Sequence, residues 1–368
     1  MRTVDQSTER RRRISRRKSP GIGALTIILA LVFNGSFLGS IAETFQQVNL
    51  RAAADYSRER LGLSFLAIQN GKIVFEEYQN GNSADSRQKI YSGTKGFWAV
   101  AAMVAVQEGI LSLDEPVSNT ITEWQREGDP RKLRITVLEL LQFTDGMEPA
   151  FPLNGDSVQD RNAFAIRMNP ASPPGQIFTY GPSHLQIFCE LLRRKLLSRN
   201  DTPIAFMERK VLVPLGLHGL DFKTDERGNP LLATGFKLTA REWARMGELI
   251  LRGGVYRGLK IVDAGELGLC FRGSWANPAF GIGFWTNSES ASGRARELNI
   301  EDMLELDWRK QDWSHACICR DAPPDLIASI GSGYQRLFVV PSLNLVIVRQ
   351  GTNARFSDGD FLRLILGR

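Results

Sequence analysis

Residues 91–108 read YSGTKGFWAVAAMVAVQE, and Gly109 follows them. Beyond its first polar residues this stretch is apolar on every side of a helix, which is typical of a buried helix, and glycine is a common helix stop. We therefore predict a buried helix over Ser92–Glu108. Ser92 and Lys95 lie three residues apart at its start, and hence on one face of the helix. The lysine amine can reach the serine hydroxyl in that arrangement.

The pair of Ser92 and Lys95 has two interpretations. A serine hydroxyl is a weak nucleophile that needs a base, and an apolar setting lowers the pKa of a lysine toward that role. The free N–H groups and the dipole of a helix N-terminus also favour the anion formed during acyl transfer. In the other interpretation Ser92 only caps the helix and Lys95 extends to solvent. Spacing alone leaves both open, because Ser15 and Lys18 show the same spacing in a basic tail.

Strand signals lie at both ends of the chain. Leu63–Gln69 and Lys72–Tyr78 are apolar-rich runs joined by Asn-Gly, the strongest short-range signal of a β-hairpin. Gln335–Val340 and Leu343–Arg349 form a second predicted strand pair, and Asp358–Leu366 is predicted to be a closing helix. Further helical patterns fill the middle of the chain, at Thr136–Phe143, Ser183–Leu197, Pro203–Val211 and Thr239–Arg252. We predict an α/β fold of the α+β type, in which an antiparallel sheet built from the N- and C-terminal segments is flanked by helices and receives an inserted, mostly helical lobe.

The charge of the chain is concentrated at its N-terminus. The first twenty residues hold eight basic and two acidic residues, and the other 348 carry 38 of each sign. The body is therefore neutral, which excludes a broad nucleic-acid-binding surface. The basic tail leads into the apolar run 24–33 and a small-residue ending near Ala42, so residues 1–42 are predicted to be a signal peptide or a membrane anchor. We expect membrane contact through this segment alone, with the body exported to the periplasm or anchored outside the cytoplasm at the inner membrane.

Residues 43–368 are predicted to form one domain with two lobes. The sheet lobe is expected over about residues 60–90 and 250–368, and the helical lobe over about residues 96–245. The polar stretch 287–324 matches neither pattern, and we expect a loop insertion near the mouth of the site.

Other kinds of chemistry have weak support. The chain has three histidines, no metal-binding spacing such as HExxH, and no GxSxG element. His315, Cys317 and Cys319 bring three soft ligands together, but a zinc site needs a fourth, so buried or paired structural cysteines are expected. An enzyme centred on Cys317 with His315 is the weakest alternative. No cofactor and no metal are expected.

Several motifs follow the Ser92-x-x-Lys95 element in a fixed order. They are ITVLELLQFTDGM (135–147), PGQIFTY (174–180), TGFKLTAR (234–241), FGIGFW (280–285) and GSGYQ (331–335). In order and spacing they resemble the penicillin-binding-protein-like serine hydrolases, a family of class C β-lactamases, D,D-peptidases, esterases and 6-aminohexanoate-oligomer hydrolases. The first two are similar to that family's LLxHTSG and PGxxFxY segments. The resemblance spans about residues 60–350 and implies a β-lactamase/transpeptidase-like fold.

The resemblance also implies roles for individual residues. Ser92 would be the acylated nucleophile, Lys95 its base partner, and Tyr180 the tyrosine that exchanges protons between them and the leaving group. A phenol beside an ammonium is expected to release its proton more readily, whereas the alternative for Tyr180 is a packed aromatic ring. The backbone N–H groups of Ser92 and of an edge strand near Ser332 would form the oxyanion hole. The residues expected to bind substrate are Ser329, Gly331, Ser332 and Gly333.

Three departures from the family pattern bear on the substrate. Pro182 takes the place of the asparagine of the family's Y-x-N element. Ser329 takes the place of the lysine or histidine that begins the family's K/H-T/x-G element, so the usual cation is missing. Phe143 and Asp145 replace the histidine and serine of HTSG. In the family the asparagine contacts an acylamide side chain and the cation helps to hold a substrate carboxylate. Their loss argues against efficient penicillin hydrolysis.

Two functional hypotheses follow from these observations. The first is an exported serine hydrolase that cleaves a small-molecule or peptide-like ester or amide through an acyl-enzyme on Ser92. The second is a catalytically inactive relative that serves as a binding or scaffold module at the cell envelope, and Pro182 and the missing cation support it. The reactivity of Ser92 toward an acylating probe separates the two.

Overall fold

The computed structural model describes residues 49–303, 307, 310–352 and 355–368. The predicted signal peptide or anchor, residues 1–42, lies outside these described residues. Within them, no helix combines the length and the apolar character needed to cross a membrane.

The central sheet draws its strands from both ends of the chain. The strands of the described residues are β1 (Gly62–Gln69), β2 (Lys72–Tyr78), β3 (Gln88–Lys89), β4 (Lys237–Leu238), β5 (Val255–Tyr256), β6 (Leu259–Lys260), β7 (Trp285–Thr286), β8 (Arg296–Glu297), β9 (Ala316–Cys317), β10 (Ile327–Gly331), β11 (Gln335–Val340) and β12 (Leu345–Gly351). Six of them form one sheet in the order β2-β1-β12-β11-β10-β7, with antiparallel neighbours throughout. Because β12 lies between β1 and β11, the N- and C-terminal segments share one sheet, which confirms the predicted fold class.

The two strand pairs turn in different ways. Asn70 and Gly71 have φ values of +51° and +75°, the left-handed values that a type I′ hairpin turn requires at both positions. The C-terminal pair turns instead through a short 3₁₀ segment, Pro341–Leu343, and through Asn344 with φ +50°. That longer turn delays β12, which begins two residues later than predicted.

Helices fill the middle of the chain and close its end. They are α1 (residues 49–59), α2 (Thr94–Gln107), α3 (Val137–Leu141), α4 (Arg161–Arg167), α5 (Ser183–Leu197), α6 (Pro203–Met207), α7 (Ala240–Leu251), α8 (Ala264–Leu269), α9 (Ile300–Met303) and α10 (Asp358–Leu366). The bounds of α5 and α10 are those predicted. α3 and α7 each begin with a capping box, in which Thr136 and Thr239 accept the N–H of a glutamate that bonds back to them.

Helix α2 is buried as its apolar sequence predicts, since residues 94–105 are all buried. Gly96 brings it close to Phe284, whose ring leaves no room for a side chain there. α7 packs against the sheet through Gly247, where a Cβ would press on Val346 of β12. The first close approach holds the start of α2 against the residue before β7, and the second holds α7 against the sheet.

Two regions differ from what the motifs indicate. β10 is not an edge strand, because β7 pairs with its first two residues, Ile327 and Ala328. That pairing ends there, so Ser329–Gly331 runs past the end of β7. The second region is the stretch 287–324, which was expected to be a loop insertion. It contains the short parallel pair of β8 and β9 and the helix α9.

Candidate active site

Ser92 lies in a single 3₁₀ turn, Tyr91–Gly93, directly before α2. The α-helix therefore starts two residues later than predicted. Tyr91 has φ +46°, a left-handed value that a bulky residue adopts only where its surroundings hold it. Gly93 packs beneath Trp243 of α7, where a Cβ would lie 2.6 Å from the nearest ring atom. The turn that presents Ser92 is thus constrained at its first and last residues.

The amine of Lys95 faces Ser92 from the first turn of α2. Its Nζ lies 2.8 Å from Ser92 Oγ and 2.8 Å from the carbonyl oxygen of Ala233. Lys95 is only 4% exposed, and burial lowers its pKa from 10.5 to about 7 because an apolar setting disfavours the ammonium form. Near neutral pH much of the protein therefore carries a neutral amine that can accept the Ser92 proton. The alternative in which Lys95 extends to solvent does not hold.

Tyr180 reaches the same serine from the segment before α5. Its hydroxyl is hydrogen-bonded to the Ser92 side chain, and Lys95 Nζ lies 4.8 Å from the centre of its ring. Burial raises the pKa of Tyr180, and the negative charge of Glu301 adds to that increase. The phenol therefore keeps its proton in the resting site, which differs from the expectation that a neighbouring ammonium would help to remove it. The reason is burial, which disfavours the phenolate more than the hydrogen bond with Ser92 favours it.

The end of β10 lies against the Ser92 turn. A Cβ on Gly331 would collide with the carbonyl oxygen of Ile90, so this close approach requires glycine. Ser329 is buried, and its Oγ donates to the carbonyl oxygen of Gly93 at 3.3 Å. Ser329 therefore ties the strand to the turn and is not among the residues that line the cavity at Ser92. The other three residues expected to bind substrate do line it: Gly331, Ser332 and Gly333.

Two cavities meet at Ser92. The relay cavity, of about 520 Å³, is bounded by Lys95, Tyr180 and the loop after β10. The ribbon cavity, of about 550 Å³, is bounded by residues of β3 and β4, and neither Lys95 nor Tyr180 lines it. The residues common to both linings are Tyr91, Ser92, Asn154, Ala233 and Ser332. A substrate whose carbonyl lies at Ser92 can therefore extend one portion into each cavity.

A family model described as Beta-lactamase matches residues 48–355. The matched range contains Ser92, Lys95, Tyr180 and the whole six-stranded sheet. The chain belongs to the Beta-lactamase family. This confirms the resemblance drawn from the motifs, and the fold agrees with it.

Individual relatives are distant. Protein flp of Staphylococcus aureus (strain MRSA252) is 24% identical over 212 residues, which cover 52% of this chain and 41% of that protein. The chain thus matches less than half the length of that curated relative. Among solved structures, the putative 6-aminohexanoate-dimer hydrolase from Bacillus anthracis has a TM-score of 0.64 at 16% identity, covering 85% of this chain and 79% of its own. A family VIII carboxylesterase has a TM-score of 0.60 at 18% identity, covering 87% and 96%. At these identities the two structures support the fold alone.

In this member of the Beta-lactamase family, a carboxylate that no motif indicates shapes the relay cavity. Glu301 of α9 accepts the backbone N–H groups of Gly333 at 2.7 Å and Tyr334 at 3.1 Å. The buried Arg336 donates to Glu301 at 3.1 Å and to Asp358 at 2.6 Å. Glu301 thereby fixes the loop that follows β10. Glu301 thus brings the stretch 287–324 to the mouth of the site, but on a helix and not on the expected loop.

Asn154 is a second residue that sequence analysis missed. It lines both cavities, and its side-chain oxygen is buried without a hydrogen-bond partner among the described residues. A buried acceptor without a partner is costly, so a substrate N–H or a water molecule at this point would be stabilising. Asn154 therefore supplies a side-chain amide to the relay cavity. Pro182, which takes the place of the family's asparagine, has none.

Two departures from the family pattern, Phe143 and Asp145, belong to one buried cluster with His184. His184 Nδ1 lies 2.8 Å from Asp145 Oδ1. Phe143 stacks on the His184 ring with centroids 4.8 Å apart, and it meets the Tyr180 ring edge-on at 5.5 Å. These substitutions therefore form part of the packing that holds Tyr180 in place.

The cysteine-centred alternative gains no support from the structure. All four cysteines are buried and unpaired, in line with the expectation of structural cysteines. His315 Nδ1 pairs with Glu289 Oε2 at 2.9 Å. Burial raises the pKa of the Cys317 thiol to about 11, and a thiol that keeps its proton at neutral pH is a poor nucleophile.

The contact of Gly331 with Ile90 leads to a test of site geometry. Gly331→Ala should lower kcat/KM for ester hydrolysis by about tenfold or more, because the added Cβ pushes β10 away from the Ser92 turn and displaces the expected oxyanion donors. Steady-state kinetics would measure this. Gly265→Ala, a glycine in α8 with open space around its Cβ position, should leave activity unchanged and retain or raise the melting temperature. Equal activity of the two variants would contradict the expected place of β10 in the site.

Proposed function

We propose that this chain is an exported serine hydrolase that cleaves an ester or an amide through an acyl-enzyme on Ser92. The observation that carries the proposal is the 2.8 Å contact between Ser92 Oγ and the buried amine of Lys95. The lowered pKa of Lys95 and the hydrogen bond of Tyr180 support it, because a serine nucleophile needs a base and its leaving group needs a proton donor.

In acylation, the Ser92 hydroxyl gives its proton to the neutral Lys95 amine while Oγ forms a bond to the carbonyl carbon of the substrate. The carbonyl oxygen becomes an oxyanion, which the backbone N–H groups of Ser92 and Ser332 would stabilise. When the intermediate collapses, the bond from carbon to the leaving oxygen or nitrogen breaks. The leaving group takes a proton from Tyr180, which recovers one from the Lys95 ammonium. The half-reaction yields acyl-Ser92 and a free alcohol or amine.

In deacylation, water takes the place of the leaving group in the relay cavity. Tyr180 passes one proton of this water to the neutral Lys95 amine as the water oxygen bonds to the acyl carbon. The ester bond to Ser92 Oγ then breaks, Oγ recovers the proton, and the carboxylic acid product leaves. Because Lys95 and Tyr180 return to their starting protonation states, the same relay serves both halves of the cycle.

The proposed substrate is a small-molecule or peptide-like ester or amide, and not a penicillin. Pro182 lines the relay cavity without an amide, and Ser329 is neutral and directed to the Gly93 carbonyl. The site thus lacks the family's two penicillin contacts at those positions. The names of the similar structures, a 6-aminohexanoate-dimer hydrolase and a carboxylesterase, refer to amide and ester substrates and agree with this class.

Export rests on the sequence of residues 1–42, whose basic segment and apolar run favour a signal peptide or an anchor. The basic tail would remain inside the cell and the catalytic body would lie outside.

The competing function is an inactive binding or scaffold module at the envelope. The neutral Ser329 and Pro182 are its support, and it predicts that Ser92 does not react with acylating probes.

The deciding experiment treats the full-length protein with a fluorophosphonate and maps the adduct by mass spectrometry. We expect the adduct on the peptide that contains Ser92, with a labelling rate that rises with pH and is half-maximal near pH 7, as Lys95 loses its proton. An adduct on a different residue would overturn the proposal. An absence of adduct on protein that circular dichroism confirms to be folded would favour the binding module.

A further inference from the structure

The ribbon cavity beside Ser92 is lined by more positive charge than acyl transfer needs. One carboxylate, Asp221, lies in its wall together with four basic residues: Arg87, Lys89, Lys223 and Lys237. Arg87 is already paired with Glu242, with contacts of 2.6 and 3.0 Å. Lys223 is paired as well, since its Nζ lies 2.9 Å from Asp156 Oδ1.

Lys89 and Lys237 have no such partners. Neither amine forms an ion pair or a hydrogen bond with any residue that the structure describes, and both side chains are exposed. Asp221 lies more than 4.0 Å from both amines, since it forms no ion pair with them. These two cations are therefore available to a ligand in the cavity.

The two lysines also face each other. They are directly paired in the two-stranded antiparallel ribbon of β3 and β4, Lys89 opposite Lys237. Side chains in such a pair start about 5 Å apart, and like charges placed there destabilise a ribbon. An anion held between the two amines would convert that repulsion into two favourable contacts.

The position of the cavity indicates which part of a substrate it receives. The leaving group must lie near its proton donor, and Tyr180 and Lys95 line the relay cavity and not the ribbon cavity. The ribbon cavity is thus left for the acyl part. In the family, a cation of the strand that corresponds to β10 helps to hold a substrate carboxylate, and Ser329 takes its place here. The lysine pair belongs to β3 and β4 instead, so it is a different site.

We propose that Lys89 and Lys237 form an anion subsite, so that the preferred substrates are esters or amides whose acyl part carries a second carboxylate. Monoesters and monoamides of dicarboxylic acids form this class. The proposal rests on the Ser92 chemistry proposed above, and it adds the substrate group that the ribbon cavity recognises.

The kinetic test compares two esters of equal chain length, 4-nitrophenyl hexanoate and the 4-nitrophenyl monoester of adipic acid. The natural chain should prefer the adipate ester, and the preference should fall about tenfold or more in the double variant Lys89→Gln/Lys237→Gln, because two charge-assisted contacts are lost. Raising the ionic strength should weaken the preference in the natural chain alone. Lys72→Gln, a change at an exposed lysine of β2 outside the cavities, should leave the preference unchanged.

A stability measurement separates an anion-binding role of the two lysines from a role in stabilising the fold. Removal of two opposed like charges should keep the melting temperature of the double variant equal to that of the natural chain, or raise it. A lower melting temperature together with an unchanged ester preference would overturn the proposal.

A binding measurement keeps the test independent of catalysis. In the Ser92→Ala background, isothermal titration should detect tighter binding of adipate than of hexanoate by about tenfold, and the double substitution should abolish the difference. Equal binding of the two acids would overturn the anion subsite while ester hydrolysis by the natural chain still supports Ser92. Lack of hydrolysis together with selective adipate binding would instead overturn the proposed function and keep the subsite.

Discussion

Replacing Ser92 by alanine is expected to lower kcat/KM for any substrate of this protein by about 1,000-fold or more and to abolish fluorophosphonate labelling. The expectation follows from the position of Ser92 Oγ, which is in contact with both Lys95 and the Tyr180 hydroxyl. Without the hydroxyl, the two proton-transfer groups have no nucleophile to act on. Assays with 4-nitrophenyl esters, a chromogenic cephalosporin and short amide oligomers would measure the loss.

Ser15 provides a matched control for that substitution, because it begins another S-x-x-K element, in the basic tail. Ser15→Ala should keep full activity and full labelling. Since alanine removes only a hydroxyl, Ser92→Ala should also retain the circular dichroism spectrum of the natural chain. Activity that survives in Ser92→Ala would place the nucleophile elsewhere and end the acyl-enzyme hypothesis.

The parts of the fold that sequence could predict are those decided by neighbouring residues. α10 matches its prediction because Ser357 caps its start and Gly367, with φ +67°, ends it. The N-terminal hairpin matches because Asn-Gly favours the left-handed turn by itself. The Ser92–Lys95 pair was likewise visible, since a spacing of three residues is a local property of a helix.

The parts that sequence analysis missed depend on contacts between distant segments. α2 starts late because Tyr91 is held with a positive φ and Gly93 packs beneath Trp243, and neither constraint can be seen in residues 91–108. Tyr180 could be assigned only through the family resemblance, because 85 positions separate it from Lys95. No local pattern brings Glu301 to the relay cavity or pairs Lys89 with Lys237, since two-residue strands carry too little periodicity to predict.

The second large effect is expected from Lys95→Met, which keeps an unbranched apolar side chain and removes the base. We expect kcat/KM to fall by about 100- to 10,000-fold, the range of a general base. In the natural chain kcat/KM should rise with pH and reach half its maximum near pH 7, because the neutral form of Lys95 is the active one. That step should be absent from the residual activity of Lys95→Met.

Stability gives Lys95→Met a second, independent readout. The unfolded chain keeps the Lys95 proton up to the ordinary lysine pKa of 10.5, whereas the folded chain loses it above about pH 7. Between these values the unfolded state binds the extra proton, so this residue makes the free energy of unfolding increase with pH. Urea titrations at pH 7 and pH 9.5 should find that increase in the natural chain and a smaller one in Lys95→Met.

The exposed Lys72 supplies the control for these measurements. Lys72→Met should keep both the pH profile of kcat/KM and the pH dependence of unfolding, because it also replaces a lysine by methionine but at an exposed position outside both cavities. If Lys95→Met keeps the pH 7 step in activity, Lys95 is not the base. If it loses activity but keeps the full pH dependence of unfolding, the folded site holds Lys95 as an ammonium, and Tyr180 would have to accept the Ser92 proton instead.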